Sequence, residues 1–151
     1  MSIKISYKKA SNEKSIQNYV LFSNEDFQIN GLNKILLGKQ SSQINRMIKS
    51  YKSKKKEFIS FNHNADQKII LIKIKNNQTS TGNEKVGANF YNFIKSNTLN
   101  NLTFLDGNID ETQIKNKILI DEFIHGMQIK SYAFNKYKTK KEIRSILINI
   151  I

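Results

Sequence analysis

Residues 68–74 constrain the fold more than any other part of this sequence. Their centre, Ile69-Ile70-Leu71-Ile72, is continuously apolar and rich in β-branched side chains, which is typical of a strand covered on both faces. Residues 81–95 follow and carry apolar side chains at helical spacing, namely Val86, Phe90, Phe93 and Ile94. A buried strand followed by an amphipathic helix predicts an α/β domain, with residues 68–74 as its central strand.

Alternation of polar and apolar residues predicts further strands. Residues 2–7 place Ile3, Ile5 and Tyr7 on one face, which is the pattern of a half-covered strand. Residues 16–22 predict a second strand, and because turn-forming residues occupy 23–26, we expect the first two strands to make a hairpin-like opening. Shorter strands are predicted at 58–61 and 102–105, and a buried final strand at 143–151.

Two more helices are predicted. One is short and amphipathic, follows one or two helical turns at 32–37, and has a shared apolar face of Ile44, Met47, Ile48 and Tyr51. The other is long and begins near Asp110 and Glu111, since acidic groups favour the positive end of a helix dipole. We interpret Gly126 as a kink or a cap in that helix, which continues over residues 127–134.

Length and composition predict a single domain, residues 1–151. That length suits one hydrophobic core, and neither an internal repeat nor a Pro- or Gly-rich linker divides the chain. No stretch approaches the roughly 18 consecutive apolar residues that span a bilayer, and the N-terminus lacks the apolar part of a secretory signal. We expect a cytoplasmic protein without a membrane partner. The absence of cysteine excludes disulfides and thiolate metal ligands.

The net charge of +13 allows two interpretations. A strongly basic domain attracts polyanions such as DNA, and the densest positive run consists of Lys52, Lys54, Lys55 and Lys56. A second lysine cluster lies in residues 136–141. However, only two of the 25 basic residues are arginine, and the chain is crowded with isoleucine and asparagine. This bias is typical of an AT-rich genome, and lysine clusters are ordinarily solvated loops.

Catalytic and metal-binding candidates are sparse. His63 and His125 are the only histidines, too few and too far apart to specify a metal site; we expect His63 to be a solvated loop residue and His125 a structural one. The adjacent acids occur as three pairs, Glu25-Asp26, Asp110-Glu111 and Asp121-Glu122, and are interpreted as turn, cap and surface residues. Since the sequence also lacks phosphate-binding and nucleophile motifs, we predict no catalytic or metal-ligating residue in this chain.

Residues 122–141 carry the most specific pattern. A glycine, Gly126, is followed by a Ser-Tyr-x-Phe-x-x-Tyr-Lys stretch made of Ser131, Tyr132, Phe134, Tyr137 and Lys138, and then by a lysine-rich turn. This stretch resembles the end of the N-terminal domain of leucyl (cytosol) aminopeptidases. The order of the earlier elements agrees, including Glu84-Lys85-Val86-Gly87-Ala88, which is similar to the start of that family's next helix.

The resemblance implies a macro-domain-like fold, a three-layer domain in which helices flank a mixed β-sheet. It also implies a non-catalytic assembly or regulatory role, because the family holds two divalent metal ions in a C-terminal catalytic domain that this chain does not contain. The implied partners are that catalytic domain and the other subunits of a hexamer. The alternative function is a free-standing basic module that contacts nucleic-acid phosphates through Lys52, Lys54, Lys55 and Lys56. A macro-like nucleotide binder ranks last, because few glycines are present to bring backbone amides to a pyrophosphate.

Overall fold

A computed structural model describes residues 2–7, 18–29, 38–50, 55–62, 65–105, 119–132 and 145–151. Within these ranges six strands form one sheet: β1 (Ser2–Tyr7), β2 (Asn18–Ser23), β3 (Phe58–Asn62), β4 (Lys68–Lys73), β5 (Asn101–Phe104) and β6 (Ser145–Ile150). Three helices accompany the sheet: α1 (Gly38–Ser50), α2 (Ser80–Ser96) and α3 (Leu119–Ser131). None of these helices is long and apolar enough to cross a membrane.

The strands lie in the order β1-β6-β5-β2-β4-β3. Every neighbouring pair is parallel except β3 and β4, which are antiparallel. Side chains of α2 and α3 pack in one core cluster with one face of the sheet, and Ile44 of α1 belongs to a second cluster on the other face. The predicted three-layer α/β architecture with a mixed sheet is therefore confirmed.

The predicted hairpin between the first two strands is wrong. β1 pairs with β6 at the far end of the sequence, β2 pairs with β4 and β5, and all of these pairings are parallel. Parallel neighbours cannot be joined by a tight turn. Ile3 and Ile5 instead lie opposite Ile146 and Ile148. Alternation along a strand identifies its buried face but not its partner, so the pairing was not available from the sequence.

The apolar run of residues 69–72 is buried as predicted, but residues 68–74 do not form the central strand. Ile69, Ile70, Leu71 and Ile72 all have zero exposure, yet β4 lies next to the edge, between β2 and β3. The short antiparallel β3 protects its outer side. The alternating side chains of β4 divide between the two core clusters, which explains the continuous apolar run.

The larger core is aromatic and lies under α2 and α3. Phe90 of α2 and Phe123 of α3 have ring centroids 5.4 Å apart, and Phe123 is 5.3 Å from Phe22 of β2 in an edge-on arrangement. Phe90, Phe104 and Phe123 are completely buried. Burying aromatic side chains contributes much of the stability of a domain of this size. These rings connect the helix pair to the sheet.

The second face of the sheet is apolar over β2, β3 and β4 but polar over β5 and β6. Thr103 lies opposite Asn149, and the Asn149 Nδ2 donates to Asn101 Oδ1 at 3.3 Å. Asn149 is buried and its Oδ1 has no hydrogen-bond partner. Among the described residues, the smaller core lies mainly over β2, β3 and β4, where Ile44 of α1 packs.

Local signals define both ends of α2. Thr79 is the N-cap, and its hydroxyl accepts from the Gly82 N–H at 3.2 Å. At the other end the N–H of Leu99 donates to the Ile94 carbonyl and that of Thr98 to Lys95, which is a Schellman motif. Thr98 adopts a left-handed φ of 60° there, a conformation that normally favours glycine. The helix predicted at 81–95 is confirmed.

The other predicted elements are confirmed where they are described. The strands at 2–7, 58–61, 102–105 and 143–151 correspond to β1, β3, β5 and β6, and Ile44 is buried on the apolar face of α1. The long helix is described from Leu119 onward. The predicted turns at 32–37, the helix start at Asp110 and Glu111, and Tyr51 lie outside the described residues.

Candidate interaction surfaces

Two glycines let α2 and α3 touch backbone to backbone. A Cβ built on Gly87 would lie 1.9 Å from the Phe123 carbonyl oxygen, and a Cβ on Gly126 would lie 1.9 Å from the Glu84 carbonyl oxygen. Real Cβ atoms do not approach a backbone oxygen so closely. Gly126 is inside α3, so its interpretation as a cap is wrong; it is a crossing point, which a sequence period cannot distinguish from a helix end.

Polar contacts flank this crossing. Asn83 Nδ2 donates to Glu122 Oε2 at 2.7 Å, and this bond fixes the orientation of the amide. Asn83 is only 1% exposed and its Oδ1 has no hydrogen-bond partner. Glu122 is half-buried in α3 beside the exposed Asp121. Glu122 therefore has a structural role at the crossing.

His125 lies on the outside of the same helix pair. Its Nδ1 is 2.8 Å from Glu84 Oε1, and 58% of its side chain is exposed. The expected structural hydrogen bond is present, although the ring lies in solvent rather than in the core. An exposed pair of this kind contributes about 0–1 kcal/mol to stability. Glu84 and His125 thus connect the two helices.

No group of three or more His, Cys, Asp or Glu residues in the described ranges is placed to hold a metal ion. Glu25 and Asp26 occupy the predicted turn, where Asn24 Oδ1 accepts from the N–H groups of Asp26 and Gln28. His63 and the pair Asp110-Glu111 lie outside the described residues.

The second candidate surface, the basic corner, is defined by Lys55, Lys56, Lys75 and Lys85. Lys55 and Lys56 are exposed and precede β3. Because β3 is antiparallel to β4, the residues before β3 lie beside those that follow β4, and the Lys73 N–H donates to the Glu57 carbonyl at 3.0 Å. This pairing brings the exposed Lys75 to the same edge. Lys52 and Lys54, the other two predicted contact residues, lie outside the described ranges.

Helix α2 adds the fourth lysine. Asn89 Nδ2 donates to Glu57 Oε2 at 3.1 Å, so this face of α2 lies against the segment that leads into β3. Lys85 is exposed four residues earlier on the same helical face, which places it nearer the helix N-terminus and the end of β4. Lys75 and Lys85 were not singled out from the sequence, because only the β3–β4 pairing and the Asn89–Glu57 contact bring them to Lys55 and Lys56.

The loop after β2 borders the basic corner and is closed by hydrogen bonds. Asn24 holds it closed, since its backbone and side chain bond Asp26, Phe27 and Gln28. Phe27 is buried with a left-handed φ of 57°, and the ammonium of Lys73 lies 4.8 Å from its ring centroid. A bulky residue in this conformation is held by its surroundings. The acidic residues Glu25 and Asp26 mark the limit of the positive surface.

The structure describes only the first part of the aminopeptidase-like stretch, which comprises residues 122–141. Gly126 and Ser131 lie in α3, and Tyr132 directly follows the helix with 92% of its surface exposed. Ile129, three residues earlier, is also exposed. Phe134, Tyr137, Lys138 and the second lysine cluster at 136–141 lie outside the described residues.

The strand order and the helices on both faces define a macro-domain-like α/β fold, and comparisons with solved structures agree. A mutant of tomato leucine aminopeptidase superposes with a TM-score of 0.67 and 15% sequence identity, over 99% of this chain and 32% of that chain. The macrodomain of Thermus aquaticus DarG gives a TM-score of 0.62 and 6% identity over 99% of this chain and 98% of that one.

The macrodomain of Mycobacterium tuberculosis DarG gives 0.55 and 10% identity, over 96% of this chain and 97% of that one. No protein-family model matches the sequence, and no curated protein matches it. At these identities the similarity establishes the fold. The chain spans about a third of the length of the aminopeptidase that it matches and nearly the whole of each macrodomain.

Proposed function

We propose that this chain is the non-catalytic N-terminal domain of a metal-dependent leucyl aminopeptidase, in which it serves assembly or regulation. In the parent enzyme a separate domain would bind two divalent metal ions and remove N-terminal residues from peptides. The observation that carries the proposal is the superposition of 99% of this chain on 32% of a leucine aminopeptidase. The aminopeptidase-like stretch supports it independently of the fold.

The chemistry of the described residues is consistent with a supporting domain. Glu122, Glu84 and His125, the polar groups around the helix crossing, bond one another or Asn83. Their contacts join α2 to α3. A domain that positions other parts of an enzyme needs this kind of internal stability, and the proposal assigns peptide hydrolysis to residues outside this chain.

Depletion of peptidase activity tests the proposal. An antibody raised against the 151-residue chain is added to a lysate of the source cells, and hydrolysis of leucine p-nitroanilide with added Mn²⁺ is measured before and after removal of the complex. We expect the captured material to hydrolyse the substrate and to lose activity with a chelator. A matched antibody against an unrelated protein controls for nonspecific removal.

The recombinant chain is assayed in parallel and is expected to be inactive. If the captured native polypeptide is also inactive over a range of divalent metals, while the same lysate retains all of its leucine aminopeptidase activity, the proposal is wrong. If the captured polypeptide is active, deletion of the domain from the parent enzyme measures its role. Loss of subunit assembly in sedimentation velocity would indicate a role in assembly. A changed KM with intact assembly would indicate a role in regulation.

A further inference from the structure

The basic corner brings together positive charge from three separate segments. Lys55 and Lys56 precede β3, Lys75 follows β4, and Lys85 lies on the first turns of α2. All four side chains are exposed. Pairing of β3 with β4 and the Asn89–Glu57 hydrogen bond hold these segments against one another. The charges therefore belong to a defined surface rather than to a single lysine-rich loop.

The acidic residues in the segments of this corner are engaged in contacts within the protein. Glu57 and Glu84 are the two in its described segments, and the Glu57 carboxylate accepts a hydrogen bond from Asn89. Glu84, beside Lys85 in the sequence, turns to His125 on α3. The N-terminus of α2 lies at the end of β4, and its partial positive charge adds to the field of the lysines. The corner thus favours an anion with several charges.

We propose that the basic corner binds the phosphate backbone of nucleic acid without reading base sequence. Lysine is a point charge that contacts phosphates, whereas base recognition typically uses the planar guanidinium of arginine. Phe58, the aromatic residue closest to these lysines in the sequence, packs on Phe90 and Phe93 with centroids 5.4 and 5.3 Å apart. Its ring is engaged in the core, which favours phosphate contacts over base stacking.

A membrane surface fits this corner less well. The exposed large apolar residues of the described ranges are Tyr7, Ile129 and Tyr132, and none belongs to the segments that form the corner. Peripheral membrane binding generally combines basic residues with apolar side chains that enter the bilayer. The proposal does not depend on the aminopeptidase assignment, since the corner would be present in a longer enzyme or in a chain of this length.

Salt-dependent binding tests the proposal directly. The full-length native polypeptide is titrated into a fluorescein-labelled 20-base-pair duplex, and anisotropy is followed between 50 and 200 mM NaCl. Four phosphate contacts give a slope of log affinity against log salt of about −3.6 for B-form DNA. We expect the quadruple variant K55Q/K56Q/K75Q/K85Q to reduce the magnitude of that slope by about three to four, and a duplex of different sequence to bind equally.

The matched control is K4Q/K68Q/K95Q/K130Q, which removes the same number of charges from exposed lysines outside the corner and should preserve most of the slope. Equal weakening by both quadruple variants would overturn the proposal, because binding would then follow net charge alone. Absence of binding at 50 mM salt, or binding to vesicles with 30% phosphatidylserine but not to DNA, would also overturn it. Protection of the four lysines from acetylation by bound DNA, measured by mass spectrometry, provides a readout that needs no variant.

Discussion

The α2–α3 helix pair and the basic corner share one helix but differ in what holds them. At the helix pair, Gly87 and Gly126 let two backbones meet, and Phe90 and Phe123 fill the space beneath. At the corner, exposed lysines are brought together by strand pairing and contribute no buried contact of their own. Close steric packing determines which residues the helix pair can accept, whereas positive charge is the property that defines the basic corner. Substitutions in the helix pair should therefore change stability, and substitutions in the corner should change binding alone.

The largest expected effect comes from Gly126→Ala. The new Cβ would clash with the Glu84 carbonyl, so the helices must separate and the aromatic core beneath them must open. We expect a loss of at least about 3 kcal/mol in the free energy of unfolding, or failure to fold, measured by chemical denaturation. Gly82→Ala in α2 is the matched control, because its Cβ would meet the side chains of Gln78 and Thr79 rather than the backbone of another helix. Equal stability of the two variants would contradict the close crossing.

Glu122→Ala should have the next largest effect. Removing this carboxylate leaves the buried Asn83 Nδ2 without the carboxylate to which it donates, and a buried polar group without a hydrogen bond costs about 1–3 kcal/mol. Asp121→Ala removes an exposed acid from the same helical turn and should cost less than about 0.5 kcal/mol. A thermal melt of each variant distinguishes the buried contact from a general effect of charge on the helix dipole.

Thr98→Gly is expected to stabilise the protein. Thr98 ends α2 at a φ of 60°, a conformation that costs a non-glycine residue roughly 1–2 kcal/mol. Glycine removes this strain but adds backbone freedom to the unfolded chain, which leaves a gain of about 0.5–1 kcal/mol. Asn100→Gly, two residues later in the chain, should instead be neutral or destabilising. A lower midpoint of urea denaturation for Thr98→Gly would argue against the Schellman motif.

The smallest effect on stability is expected at the basic corner. Because its lysines are exposed, K55Q/K56Q/K75Q/K85Q should change the free energy of unfolding by no more than about 0.5 kcal/mol in total. Because the substitutions reduce repulsion between the lysines, any change in the free energy of unfolding is expected to be a slight increase. The midpoint of thermal unfolding at low and high salt measures this. A large loss of stability would show that the lysines support the fold and would remove the contrast between the two regions.

Local patterns identified most elements but not their neighbours. Three predictions depend only on which side of one element is buried, and all three are confirmed: the strand β1 from its alternation, the buried strand β4 from its apolar run, and the helix α2 from its period. The hairpin and the central position of β4 were wrong, because strand partners are chosen by contacts between distant segments, such as Ile3 with Ile146. The sequence alone indicates which faces of an element are buried, but it does not indicate which other elements bury them.

The candidate surfaces show the same limit. Lys55 and Lys56 were identified because they are adjacent in the sequence, whereas Lys75 and Lys85 join them only through the β3–β4 pairing and the Asn89–Glu57 bond. The sequence shows Gly126 as a glycine in a helical pattern. Its role at the helix crossing is visible only from the Glu84 backbone that lies against it. Both features depend on tertiary contacts that carry no periodic signal.

The intact mass of the native polypeptide in its source cells tests the proposed function most directly. We expect a product roughly three times the length of this chain, since the chain spans 32% of the leucine aminopeptidase that it superposes on, with the metal-binding residues in the additional part. A native product of 151 residues would contradict the aminopeptidase proposal, and nucleic-acid binding at the basic corner would then be the leading function to test.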